Sequence, residues 1–146
     1  MKAINYLLVI LLLIVLVGCS DEKEEKSQAS ITSVEKFIKV IQDADKDVDG
    51  WRLYHKIEYI GNGEIDITVD YRWFYARPDM AVDNAILIYN LWRQTSGFED
   101  PILVILFEGY KYLKIDKSGG KVIISDEDEN KMIERIKELE SKDRAG

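Results

Sequence analysis

Cysteine occurs once in these 146 residues, at Cys19, and histidine once, at His55. A lone cysteine has no partner in its own chain, so an intramolecular disulfide is excluded. Zinc sites and catalytic triads place their groups at known offsets from a histidine, and no second histidine is present. No serine stands in a G-x-S-x-G elbow. Ser118-Gly119-Gly120-Lys121 lacks the G-x-x-x-x-G-K-[ST] spacing of a phosphate loop and leads into a strand pattern, so it reads as a hairpin turn. Basic blocks are missing too. With 20 basic against 27 acidic side chains the net charge is −7, which repels phosphate backbones and anionic headgroups. That argues against nucleic acid as a partner. The unbroken apolar run, Leu7 to Val17, is shorter than the roughly 20 residues a bilayer span needs.

What is present begins with that run. Lys2 supplies a short positive end, and the apolar stretch closes on Gly18. Short apolar runs after a positive residue, ending in small residues, are secretory signals. Leu16-Val17-Gly18-Cys19 resembles the lipobox of prokaryotic lipoprotein signal peptides, a resemblance that covers residues 1–20 only. It implies cleavage after residue 18 and diacylglyceryl attachment to the Cys19 thiol. Residues 1–18 are then a signal peptide, and the mature chain carries 19 basic against 27 acidic groups, a net −8. One acyl chain binds a membrane marginally, at about 0.8 kcal/mol per buried methylene; two or three on one cysteine hold it durably. Residues 19–32 read as the lipidated cysteine and a polar tether. The 13 residues from Ser20 to Thr32 are charge-mixed and without aromatics, with a reach of about 20 Å. The resemblance places the rest of the chain on the extracytoplasmic side of a membrane.

Residues 33–142 are expected to form a single α+β domain, with 143–146 a disordered tail. Thr32 and Glu35 fit a capping box, and Val34, Phe37, Ile38 and Ile41 share a helical face that ends near Asp43 to Asp47. Two alternating runs follow, Trp51 to Tyr59 and Ile65 to Trp73, joined at Gly61-Asn62-Gly63. One register pairs Tyr59 with Ile65 and Leu53 with Tyr71; it also sets Glu58 opposite Asp66. A shift by two residues relieves that pair but demands Glu64 at positive φ. Pro78 breaks the strand pattern, and Asp79 can cap a second helix through about Gln94, with Ala81, Ala85, Ile88 and Trp92 as its stripe. After Pro101, the apolar run Ile102 to Phe107 marks a strand buried on both faces. Tyr110 to Ile115 continues as strand, with Glu108-Gly109 either a bulge or a tight turn. Lys121 to Ser125 offers a further strand. Ser125 and Asp128 suggest a cap for a last helix faced by Met132, Ile133, Ile136 and Leu139. The pattern predicts an antiparallel sheet of four to five strands with helices packed on it, in the order α-β-β-α-β-β-α.

Candidate sites are few. Asp45-Lys46-Asp47-Val48-Asp49-Gly50 matches the front half of a calcium loop, with oxygens at alternating positions and a glycine for the sharp turn. The twelfth position is Lys56 rather than glutamate, so Asp45, Asp47, Asp49 and the Trp51 carbonyl would bind Ca²⁺ weakly, at about millimolar affinity. No other cofactor is indicated. His55 falls on the apolar side of its strand and reads as a packed or partly buried histidine. Asp66 and Asp70 share the opposite face, where paired carboxylates can act as acid and base.

Tyr71, Arg72, Trp73, Phe74, Tyr75 and Arg77 combine aromatics with arginine, the composition that binding surfaces favour, with Phe74 turned outward. The expected role is a lipid-anchored envelope lipoprotein whose domain is a non-catalytic module for a protein or ligand partner. The alternatives are a small hydrolase using acidic residues or a calcium-stabilised structural module.

Overall fold

The computed structural model describes residues 31–45, 52–75 and 78–146. Helix α1 covers residues 31–44. Strands β1 (Tyr54–Gly61) and β2 (Glu64–Val69) lead into a short 3-10 helix, Tyr71–Phe74. Helix α2 (Pro78–Ser96) precedes three strands, β3 (Ile102–Phe107), β4 (Tyr110–Asp116) and β5 (Gly119–Val122), and helix α3 (Asp126–Ala145) follows them. The fold is α+β, as expected. One five-stranded sheet runs in the order β1-β2-β3-β4-β5.

The sheet is mixed, which corrects the expectation of an antiparallel one. β2 and β3 pair in parallel, while the other three pairings are antiparallel. The physical reason is α2: it carries the chain back along the sheet, so β3 re-enters in the direction of β2. The second half also holds three strands, giving α-β-β-α-β-β-β-α rather than α-β-β-α-β-β-α.

Turn chemistry sets both main hairpins. Asn62 and Gly63 have φ of 51° and 81°, the positive values that a two-residue turn of the I′ kind needs. The turn pairs Gly61 with Glu64, and an irregularity between Tyr59 and Gly61 leaves Ile60 extra. The expected register Tyr59↔Ile65, Glu58↔Asp66 and Ile57↔Ile67 is thereby kept. The expected Leu53–Tyr71 pair is not formed, because Tyr71 lies in the 3-10 helix. Glu108-Gly109 is a turn, with φ of 45° and 92° and Phe107 paired to Tyr110. A register shift beside it leaves Tyr112 as an extra residue in β4.

Alternation then builds a single core. Ile65, Ile67 and Val69 of β2, Leu103, Ile105 and Phe107 of β3, and Leu113 and Ile115 of β4 point to one face. There they meet Phe37 and Ile41 of α1, Ala85, Ile88 and Trp92 of α2, and Met132 and Ile136 of α3. Each fully buried Leu, Ile or Phe contributes about 1.5–3 kcal/mol. The Trp92 indole Nε1 donates to the Gly63 carbonyl at 2.9 Å, which locks α2 to the first hairpin turn.

Residues 31 and 32, expected to close a polar stretch, already lie in α1. The end of the chain is helical to Ala145 instead of a tail from residue 143. Ser125 caps α3 by accepting from the Asp128 N–H at 3.2 Å, its first turn is acidic and its last turn basic. Glu127–Lys131, Glu138–Lys142 and Glu140–Arg144 pair at i,i+4 with the acid N-terminal, the favourable orientation that carries the helix to its end.

Candidate functional site

The second strand stops four residues earlier than its alternation implies. Asp70, just beyond Val69, has an extended backbone and caps the 3-10 helix: its Oδ1 accepts from the Arg72 N–H at 2.9 Å. A short polar side chain at that place offers the backbone a local partner and turns it out of the sheet. The Asp70 N–H still donates to the Leu53 carbonyl at 2.8 Å, so the turn stays tied to the neighbouring chain.

Opposite it, β1 is bulged. Tyr54 pairs with Val69 and Lys56 with Thr68, which leaves His55 as the extra residue. A bulge re-aims the side chain it carries. His55 is thereby turned off the apolar side that the alternation implies: its imidazole is about half exposed, and Nε2 lies 3.0 Å from Asp70 Oδ2. Asp45 holds the start of the same strand. Its two carboxylate oxygens accept from the Leu53 and Tyr54 N–H groups at 3.0 and 2.9 Å. Burial raises the pKa of the Tyr54 phenol, and the Asp45 charge raises it further.

The His55–Asp70 pair opens onto a cavity of about 200 Å³. Val69, Tyr71, Phe107 and Leu139 form its apolar wall, and Thr68 and Glu108 complete it. Glu108 sits in the left-handed turn between β3 and β4 and is gripped by Arg135 of α3 through Nε at 2.8 Å and Nη2 at 3.1 Å. Arg135 also reaches Glu138 at 2.8 Å. Glu108 is thus balanced by its arginine, whereas the charged or ionisable partners of the Asp70 carboxylate among the described residues are the His55 imidazole and the more distant Arg72 Nε, 3.8 Å away. The cavity favours a small, largely apolar ligand that carries a hydrogen-bond donor or a positive charge to the His55–Asp70 end.

The aromatic segment Tyr71 to Tyr75 flanks this cavity and is anchored to the last turns of α3. The Tyr71 hydroxyl donates to Asp143, Arg72 Nη2 donates to the same carboxylate at 2.8 Å, and the Arg72 guanidinium lies 5.1 Å from the Tyr71 ring centre. Burial and the bond to Asp143 raise the Tyr71 pKa, while the hydrogen bonds from Tyr71 and Arg72 lower that of Asp143. The Tyr75 hydroxyl donates to Glu140 at 2.7 Å. Phe74 does not face outward as the strand pattern implies. The 3-10 turn swings it inward, edge-on to Trp73, Tyr112 and Phe107 at 5.1, 5.2 and 5.6 Å. Trp73 is buried, and Tyr75 remains the exposed aromatic of the group.

The other expected positions divide as follows. Asp45 is occupied by main-chain donors; Asp47, Asp49 and Trp51 lie outside the described residues, as do Arg77 and Cys19. Among the described residues no cluster of three or more His, Cys, Asp or Glu side chains is arranged to hold a metal ion. Asp66 stays within β2, whereas Asp70 has left the sheet and lines the His55 cavity. Sequence reasoning passed over Glu108, Arg135 and Asp143. The glycine after Glu108 signals a turn, but nothing local signals that α3 will lie beside it. No protein family, curated protein or solved structure matches the chain.

Proposed function

We propose that this chain is a lipoprotein held through Cys19 on the extracytoplasmic side of a membrane, and that its domain is a binding module whose ligand enters the His55–Asp70 cavity. The observation that carries the anchor is the tetrad Leu16-Val17-Gly18-Cys19 behind Lys2 and an apolar run too short to span. Among the described residues no helix is long and apolar enough to cross a membrane. What supports binding is the make-up of the cavity: an apolar wall with a few convergent polar groups, the usual composition of ligand sites. Tyr71, Arg72 and Tyr75 brace its rim against α3.

The anchor is tested by intact mass and fatty-acid labelling of the native protein. Label on the wild type and none on Cys19→Ser supports it; an unprocessed Met1 start with a free thiol overturns it. For the binding role, the anchored protein is crosslinked in its own envelope and compared with His55→Ala. A component lost from the variant supports the cavity as the site.

A second reading, a small hydrolase, has one observation in its favour. A carboxylate-bound imidazole at the mouth of a cavity is the pair that activates water or a hydroxyl. Ester or phosphoester turnover that disappears in His55→Ala would select it.

A further inference from the structure

The face of the sheet opposite the helices carries one straight cross-strand row. Its registers run Glu58↔Asp66, Asp66↔Val104, Val104↔Lys114 and Lys114↔Lys121, one residue from each strand in spatial order. Read across the sheet, the row is acid, acid, apolar, base, base. Along β3, Ile102 and Leu106 share the face of Val104, so an apolar spine divides an acidic half from a basic half. Among the described residues all three helices bury their stripes on the other face, and Val104 is buried apart from that core. Asp66 is buried as well, with Oδ1 lacking any hydrogen-bond partner.

We propose that this face binds a second copy of the chain about a two-fold axis running along β3. Such an axis maps β1 of one copy over β5 of the other and β2 over β4, while β3 lies over itself. Glu58 then meets Lys121 of the second copy, and Ile102 and Leu106, part-exposed on either side of the buried Val104, close on their own images. A two-fold axis perpendicular to the strands would set acid over acid and base over base, so the charges select one of the two face-to-face arrangements. Aligned packing of two twisted sheets about 10 Å apart supplies the geometry. Glu58 is held at 2.7 Å by Lys56, but both are well exposed, and such a pair exchanges at little cost. The like-charge meeting in this arrangement, Glu64 over Asp116, falls at the end of the sheet, where Asp116 turns to the Ser118 N–H at 2.8 Å.

Five strands at about 4.8 Å spacing and some 20 Å long present roughly 500 Å² per copy. That is below the approximately 800 Å² per partner of a standard stable interface. The association is therefore weak in solution and strengthened where copies share one surface. It is independent of the His55 cavity, which lies between the sheet and α3.

The test is sedimentation equilibrium of the full chain in mild detergent across the micromolar range. Wild type forms a concentration-dependent dimer. Glu58→Lys and Lys121→Glu each weaken it by about tenfold, and the double variant restores it, because the exchanged charges again oppose one another. Both positions are exposed, and circular dichroism confirms that each variant keeps its fold. A chain that stays monomeric throughout, single variants that dimerise like wild type, or a double variant that fails to recover would each overturn the proposal. A monomer whose face lysines resist chemical labelling would assign the face to another occupant and overturn it equally.

Discussion

His55 Nε2 and Asp70 Oδ2 stand 3.0 Å apart, one residue on a bulge in β1 and the other just past the end of β2. Asp70 serves two partners, since its other oxygen caps the 3-10 helix through the Arg72 N–H. Replacing Asp70 with alanine removes a cap and leaves that N–H unpaired, at a cost of about 1–2 kcal/mol. His55→Ala removes only the half-exposed partner, at a cost below about 1 kcal/mol. Urea denaturation of both variants measures the difference, and equal losses would show that the cap contributes nothing.

Asp66 sets a pH dependence of stability. Burial raises its pKa above the ordinary carboxylate value, with Glu64 and Glu58 adding to the rise and Lys111 opposing it. The folded state therefore holds the proton more tightly than the unfolded chain. Stability attributable to this group is greatest below its unfolded pKa and falls as pH rises through the higher folded one. Asp66→Asn removes that loss, so the variant is the more stable at neutral pH and the gap closes under acid conditions. Melting curves across pH read both; a gap that widens on acidification contradicts the assignment.

Asp45 links α1 to the first strand through the Leu53 and Tyr54 N–H groups. Alanine at this position leaves two main-chain donors without their acceptor, at a cost of about 1–3 kcal/mol. Its charge also holds up the Tyr54 phenol, so an alkaline spectrophotometric titration of the variant finds that tyrosine ionising at lower pH.

Two glycines separate crowding from backbone strain. Gly63 and Gly109 both have positive φ, 81° and 92°. A Cβ on Gly63 would lie 3.2 Å from Phe98 and 3.3 Å from the Asp100 carbonyl, whereas one on Gly109 meets nothing within 4 Å. Gly109→Ala thus carries only the left-handed penalty, about 1 kcal/mol, and Gly63→Ala costs clearly more. Thermal midpoints of the two variants in parallel settle the order.

Much of the architecture was legible because it rests on short-range signals. Ser125 and Asp128 announced the start of α3, Gly61-Asn62-Gly63 the first hairpin, and the alternation of Ile57, Tyr59, Ile65 and Ile67 its register, although the turn itself closes on Asn62 and Gly63 alone. The binding stretch was only partly legible. Tyr71 to Tyr75 reads as strand because its aromatics alternate, but Asp70 accepts a hydrogen bond from the following backbone and makes a helical turn instead. That reversed the orientation of Phe74.

By itself the sequence determined which of the long segments are helix and which are strand, Tyr71 to Tyr75 excepted, and that each helix has one apolar face to bury. These depend on side-chain period and on the allowed angles of a few adjacent residues. Only the tertiary structure decided that β2 and β3 run parallel, that His55 leaves the apolar face, and that Glu108, Arg135 and Asp143 gather around the same end of the sheet. Strand direction follows from where α2 docks, and the bulge precedes Lys56, just after main-chain donors that Asp45 fixes from the end of α1. Both are contacts between distant parts of the chain, which no local window of residues contains.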